Sequence, residues 1–519
     1  MTSFDQNRKL SGSFGYLPVE ILKEVVSFLP NLDIKSLRQT CSYMKEVAHL
    51  RLDRVFLSTN PLDIEVFKAI ADHDVFQLKV KEIIYDDARH SSRYPTFHDV
   101  YMEGDEGDIG DVTGVPDWFR MVYSEHTFVN YMEPEDFGLE EVDFATIPRC
   151  TPIESYQLYE KMYKQQRDVI ASNRDAEALK YGLTRFSNLK KVTLTPAAYG
   201  LQKRPLYHTP NIRSIPEGLV CPKPQGWPES PHYYLGPWDG LSAGDFGYPV
   251  KQEWRGFSLV TKHIAEHLRE TPTSNLTEFG VDSHQLWLGV NCRVFDKPNH
   301  EEYQDLVTIL SHPGFKSLTL SLSCGGQARE NWVSFRSGCL HDALSKAPDL
   351  QCISLYTSIP VGGSSFLGIG PTEHNYIPLR TIFPVNKWLK LRHFSLSRFF
   401  VKRNDVIEFL FALPSTLESL ELSHLVFIPV DGNYRDLLQG MRAKLGWRER
   451  PARDQPKLIV LVENREASRR GLVTDVSQDV MDFVYRDGPN PFSGNSEERL
   501  APGKGVPWEV FGPIQYGYW

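Results

Sequence analysis

Apolar residues recur along this chain in two rhythms. Near the amino end, Ile21, Leu22, Val25, Phe28 and Leu29 repeat at helical spacing, which predicts one broad apolar stripe on a helix. Pro18 suits the first turn of that helix, where its missing N–H would be unpaired anyway. Pro30 and Asn31 stop it. Asp33 can cap a second helix with Leu37 on its inner face, and Ser42 a third with Met44 and Val47. Downstream the rhythm changes to an apolar residue, two spacers, an apolar residue, one spacer and an apolar residue. It reads Val80, Ile83, Tyr85 and then Leu189, Val192, Leu194. It returns as Leu276, Phe279, Val281 and Phe315, Leu318, Leu320, and again as Leu350, Ile353, Leu355. The last copies are Leu391, Phe394, Leu396 and Leu417, Leu420, Leu422, with a weaker one at 458–462. The closing alternation is that of a strand. Between the strands lie helical patterns: Leu259, Val260, Ile264, Leu268; Tyr303, Leu306, Val307, Leu310; Leu340, Ala343, Leu344, Ala347; and Val406, Ile407, Phe409, Leu410, Leu413. Helix, short loop, strand is the repeating unit, so the fold class is α/β.

The same patterns divide the chain. Residues 1–16 are expected to be disordered, and 17–48 form the helical module. Residues 49–77 are expected to be a helical linker. It carries Leu50, Leu52, Val55 and Phe56, breaks at Asn60-Pro61, and resumes behind an Asp63 cap with Ile64, Val66, Phe67 and Ile70. Residues 78–465 hold the repeats, and 466–519 a tail rich in Trp508, Phe511, Tyr516, Tyr518 and Trp519 that should dock on the body. Two insertions interrupt the repeats. The first, 86–150, holds the acidic glycine-rich stretch 103–111. That stretch lacks the oxygen spacing of a calcium loop and reads as solvated. Beyond it a long charged helix is expected from Tyr156 to Leu183. The second, 196–256, mixes many prolines with Trp227, Tyr233, Tyr234, Trp238, Phe246, Tyr248 and Trp254. Aromatic residues without periodicity either plug a core or form a binding surface, and Trp227, Tyr234 and Trp238 are the candidates for target binding.

Composition narrows the function classes. The chain has 519 residues, 41% apolar and 24% charged, ordinary for a globular protein with a large core. A formal net charge of −9 argues against a general nucleic-acid partner. The seven cysteines are scattered with no CxxC pair, which favours free thiols in a reducing compartment. No run approaches the roughly 18 apolar residues of a membrane span, and no signal peptide is visible. An intracellular protein, cytoplasmic or nuclear, with no membrane partner is expected.

A module of three short helices buries little by itself, so its surplus apolar face calls for a protein partner. Leu17-Pro18-Val19-Glu20-Ile21-Leu22, the Phe28-Leu29-Pro30 turn, Asp33, Leu37-Arg38 and Thr40-Cys41-Ser42 resemble the F-box. The resemblance implies docking to the Skp adaptor of a cullin–RING ubiquitin ligase. The implied contacts are Leu17, Pro18, Glu20, Ile21, Leu22, Val25, Leu29 and Leu37. Many F-boxes carry a Trp near the end of the motif, where this chain has Tyr43 and Met44. The later unit looks like a degenerate leucine-rich repeat. Its spacing mostly exceeds the roughly 20–29 residues of regular repeats, and the Asn or Cys after the strand is missing. Together these resemble a fungal-type F-box protein: a three-helix F-box followed by an irregular leucine-rich-repeat-like solenoid with long insertions. Another α/β fold stays open for the second part.

Catalytic patterns are sparse. There is no G-x-S-x-G elbow, no phosphate-cradling loop ending in Lys-Ser/Thr, and no HExxH zinc pattern. No cofactor and no metal are expected, and the chain is not expected to be an enzyme. An enzymatic site would need a pocket lined by Trp227, Tyr234 and Trp238 with convergent carboxylates. The leading expectation is a substrate-recognition adaptor of an SCF-type ligase. The alternative is an F-box interaction scaffold outside any ligase.

Overall fold

A computed structural model describes residues 17–29, 31–91, 114–129, 150–200, 205–216, 218–222, 224, 226–228, 235–241, 249–284, 286, 288–359, 376–428, 431–463, 472–493 and 500–509. Two compact units divide at Arg54 and Val55. The first is helical: α1 (Val19–Ser27), α2 (Asn31–Thr40) and α3 (Ser42–Val47).

The second unit is built on a parallel sheet. Its strands are β1 (Arg54–Ser58), β2 (Glu82–Asp86), β3 (Lys191–Thr195), β4 (Glu278–Val281), β5 (Val290–Asn291), β6 (Ser317–Ser323), β7 (Cys352–Thr357) and β8 (His393–Ser397). They continue as β9 (Phe400–Val401), β10 (Ser419–Ser423), β11 (Val426–Phe427) and β12 (Lys457–Ile459). The order is β1, β2, β3, β4, β6, β7, β8, β10, β12, with β5 beside β6, so the strands of this ladder follow one another across the sheet in chain order. Short β9 and β11 pair with each other in parallel. A separate antiparallel sheet joins β13 (Leu461–Glu463), β14 (Leu472–Asp475) and β15 (Val506–Glu509).

The recurring apolar pattern coincides with the register. Ile83, Val192, Phe279, Leu318, Ile353, Phe394, Leu420 and Leu458 form one continuous row across the sheet. Tyr85, Leu194, Val281, Leu320, Leu355, Leu396 and Leu422 form the next row on the same face. Both rows are buried, together with Val80, Leu189, Leu276, Phe315, Leu350, Leu391 and Leu417, which open the copies. Helices supply the facing layer: Arg255–Glu270, Glu301–Leu310, Cys339–Leu344 and Arg403–Phe411 send their apolar positions into the same core. Because side chains alternate along a strand, the intervening positions line the opposite face.

Four expectations are corrected. The linker 49–77 is not continuously helical, because Arg54–Ser58 is β1; its Val55 and Leu57 enter the sheet core. The following helix, Pro61–Asp72, is capped by Asn60, whose Oδ1 accepts the Leu62 N–H at 2.9 Å. Asp63 instead turns inward, accepting Ser58 Oγ–H at 2.6 Å and the Asn211 N–H at 2.8 Å. The long helix from Tyr156 is two, Pro152–Ser172 and Arg174–Arg185, broken at Asn173 with φ 51°. Asn tolerates that left-handed conformation and ends helices with it. In the tail, the helix Ser477–Tyr485 inserts Val480, Phe483 and Val484 into the main core, with Phe492 beside them. Trp508 on β15 remains 44% exposed, while Phe511, Tyr516, Tyr518 and Trp519 lie outside the described residues.

Candidate docking site

The first unit separates its apolar positions into two faces. Leu22 and Val26 point inward and meet Ile34, Met44, Val47 and Ala48. Val19, Leu29, Leu37, Cys41, Tyr43 and Leu50 close the edge of that cluster. One residue earlier on the helix, about 100° round its axis, lies the other face. There Ile21 is 45% exposed, Phe28 is 80% exposed, and Val25 between them is half-buried. The single stripe expected on α1 is thus an inner row, Leu22, Val26 and Leu29, beside an outer row, Ile21, Val25 and Phe28.

Hydrogen bonds hold that outer row in place. The Pro18 carbonyl accepts the Leu22 N–H at 3.0 Å, which starts α1 directly after the proline. Asn31, buried at the start of α2, donates to the Arg51 carbonyl at 2.7 Å and accepts the Arg51 N–H at 2.8 Å. Arg51 returns its guanidinium to the Ser27 carbonyl at 2.5 Å and to the Leu29 carbonyl, satisfying acceptors at the end of α1. Arg38 Nη1 donates to the carbonyls of Lys45 and Ala48, each at 2.7 Å, and ties α2 to α3. Met44 fills the interior of the module and Tyr43 covers its edge.

The implied adaptor contacts divide along this line. Pro18, Glu20 and Ile21 are exposed, and Leu17, Val25, Leu29 and Leu37 are half-buried. Leu22 is corrected: it is fully buried within the module and supports the outer row from beneath. Phe28 joins the accessible row although the motif positions omitted it. Its place in the helical period was the signal that could have found it.

A profile of the F-box domain matches residues 15–53. The chain carries an F-box domain. F-box domains generally bind the Skp adaptor within cullin–RING ligases. The match spans α1, α2 and α3 and reaches Arg51, whose hydrogen bonds close the F-box around α1. No curated protein matches the chain. None of its described helices is long and apolar enough to cross a membrane.

The aromatic candidates for target binding are corrected as well. Trp227 and Trp238 are buried in the core of the sheet unit, and Tyr234 lies outside the described residues. Each indole finds a buried carboxylate: Trp227 Nε1–H donates to Asp87 Oδ2 at 2.7 Å, and Trp238 Nε1–H to Glu302 Oε2 at 2.9 Å. Asp87 also accepts the Gly256 N–H at 3.0 Å. The packing there is tight enough that a Cβ on Gly226 would lie 1.9 Å from the Asp87 carbonyl oxygen. These tryptophans plug the core where the proline-rich insertion crosses it, as buried indoles with satisfied N–H groups do. Among the described residues no cluster of His, Cys, Asp and Glu is arranged to hold a metal ion.

Proposed function

We propose that this chain is the substrate-recognition adaptor of an SCF-type cullin–RING ubiquitin ligase. The F-box holds the Skp adaptor, and the parallel-sheet unit binds a target protein. The observation that carries the reading is the F-box match over residues 15–53 on a module whose Ile21 and Phe28 stay at the surface. We read the sheet unit as an irregular leucine-rich-repeat-like solenoid. Its sequential strand order supports this, because a doubly wound sheet reverses its order at a switch point. So do the two apolar register rows, which repeat the same positions in each unit. In this reading the chain performs no bond chemistry and works in the cytoplasm or nucleus. It supplies proximity, raising the effective concentration of a target lysine near the charged enzyme.

The test is co-purification of the full chain with the adaptor and the cullin. Burying Ile21 and Phe28 is worth about 1.5–3 kcal/mol each. Ile21→Asp with Phe28→Asp should therefore weaken adaptor capture about a hundredfold or more, with little change in melting temperature. Leu17→Ala with Pro18→Ala, at the entry to α1, should act in the same direction. Full adaptor capture by the Asp pair would refute the docking face. Adaptor capture without the cullin would instead assign the chain to a scaffold outside the ligase.

A further inference from the structure

The sheet face opposite the helices carries a polar grid on β7, β8 and β10. In-register pairing sets Ser354 beside Ser395 and Ser395 beside Glu421, and one row on, Tyr356 beside Ser397 and Ser397 beside Ser423. Neighbouring strands lie about 4.8 Å apart, so these side chains share one patch. Glu421 retains 8% of its surface, and no ion pair with a described residue balances its charge. Burial pushes its carboxyl up, and only hydroxyls, those of Ser395, Ser423 and Tyr356, pull it back down. Ser395 Oγ is fully buried near that carboxylate yet meets no full hydrogen-bond geometry. Arg398, just past β8, is committed to Glu463 at 2.6 Å. The half-buried Tyr356 phenol is pushed up by burial first and then by the negative charges of Glu421 and Asp282.

A buried carboxylate normally has a counter-charge, because its desolvation is otherwise uncompensated. Here the group sits on an aromatic-bearing sheet face among hydroxyls, and no described lysine or arginine pairs with it; His393 of β8, on the same face with its Nε2 3.5 Å from Ser354 Oγ, is pushed by burial toward its neutral form. We propose that this patch receives a lysine or arginine side chain of the bound target protein. The cationic N–H groups donate to the Glu421 carboxylate and to the Ser354 hydroxyl oxygen, while the Tyr356 ring faces the charge. The inference rests on the target-binding reading of the sheet unit and gives that target its chemistry.

The test uses the full chain purified with its adaptor and an array of peptides whose central residue is fixed and whose flanks are randomised. Peptides centred on Lys or Arg should be retained about tenfold more than those centred on Gln or norleucine, the scale of one charge-assisted hydrogen bond. Glu421→Gln should erase that preference and leave the melting temperature unchanged or raised, since it removes an uncompensated charge. Tyr356→Leu should reduce it. Absence of a basic preference in the native chain, or its survival in Glu421→Gln, overturns the proposal. Adaptor capture is read on the same samples. If that fails while the basic preference holds, the ligase reading falls and this one stands.

Discussion

His90 shows how one buried residue sets a pH response. Its main chain is held on both sides by Gln166, which accepts the His90 N–H at 2.8 Å and donates to its carbonyl at 3.0 Å. Its ring packs edge-on against Tyr159 at 5.2 Å, and Nδ1 has no hydrogen-bond partner among the described residues. Burial lowers the imidazole from its ordinary 6.5 to about 4. Below about pH 6.5 the unfolded chain takes up a proton that the folded chain refuses, so stability is full above that value. It is lost as the pH falls toward 4, at up to about 1.4 kcal/mol per pH unit and roughly 3 kcal/mol in all. His90→Leu should remove this component and leave the stability near pH 7.5 little changed. Urea titrations of both proteins at several pH values check it: the two should agree near pH 7.5 and diverge steadily from pH 6.5 to 4.5, in favour of the variant. Parallel curves would mean that His90 titrates normally in the fold.

Within α1 the two rows make opposite predictions. Leu22 lies in the interior with Val26 and Ile34, so Leu22→Ala should cost about 2–5 kcal/mol and loosen the F-box itself. Ile21→Ala removes a half-exposed side chain and should leave the melting temperature within a degree or two while weakening adaptor capture. Hydrogen exchange on α1–α3 beside a capture assay separates the two; equal loss of protection in both variants would contradict the division. The stripe was legible in the sequence, but its division was not. Leu22 and Ile21 are adjacent and equally apolar, and only the packing of α2 and α3 decides which is covered. Strand rows were legible for the same reason the stripe was. Phe279, Leu318 and Phe394 repeat a spacing that the parallel register then aligns. Trp227 and Trp238 were not placed by any period, since loop residues have none. Their burial follows from Asp87 and Glu302, distant in sequence, which satisfy the indoles. β1 escaped notice because Val55, Phe56 and Leu57 are consecutive apolar residues, compatible with a buried strand or a helix alike.

At the scale of the whole sheet unit, the strand order makes a claim about cooperativity. Each strand of the main ladder from β2 to β10 pairs with the ladder strand before it and the one after it, so a repeat-like unit transmits damage chiefly to nearest neighbours. Phe394 on β8 is the place to apply such damage. It is fully buried, lies beside Ile353 of β7 and Leu420 of β10, and packs against Phe383 at 5.1 Å and Phe409 at 4.9 Å. Phe394→Ala should cost about 3–5 kcal/mol. In a stacked array, exchange protection should collapse in β7, β8 and β10 and in the helix Arg403–Phe411, while β2 and β3 keep theirs. In a single two-state core, all strands would lose protection together by the same free energy. Native-state hydrogen exchange resolved by strand distinguishes these outcomes. A uniform loss from β2 to β12 would remove the solenoid reading, and with it the idea that the polar grid on β7, β8 and β10 is one local segment of a longer binding face.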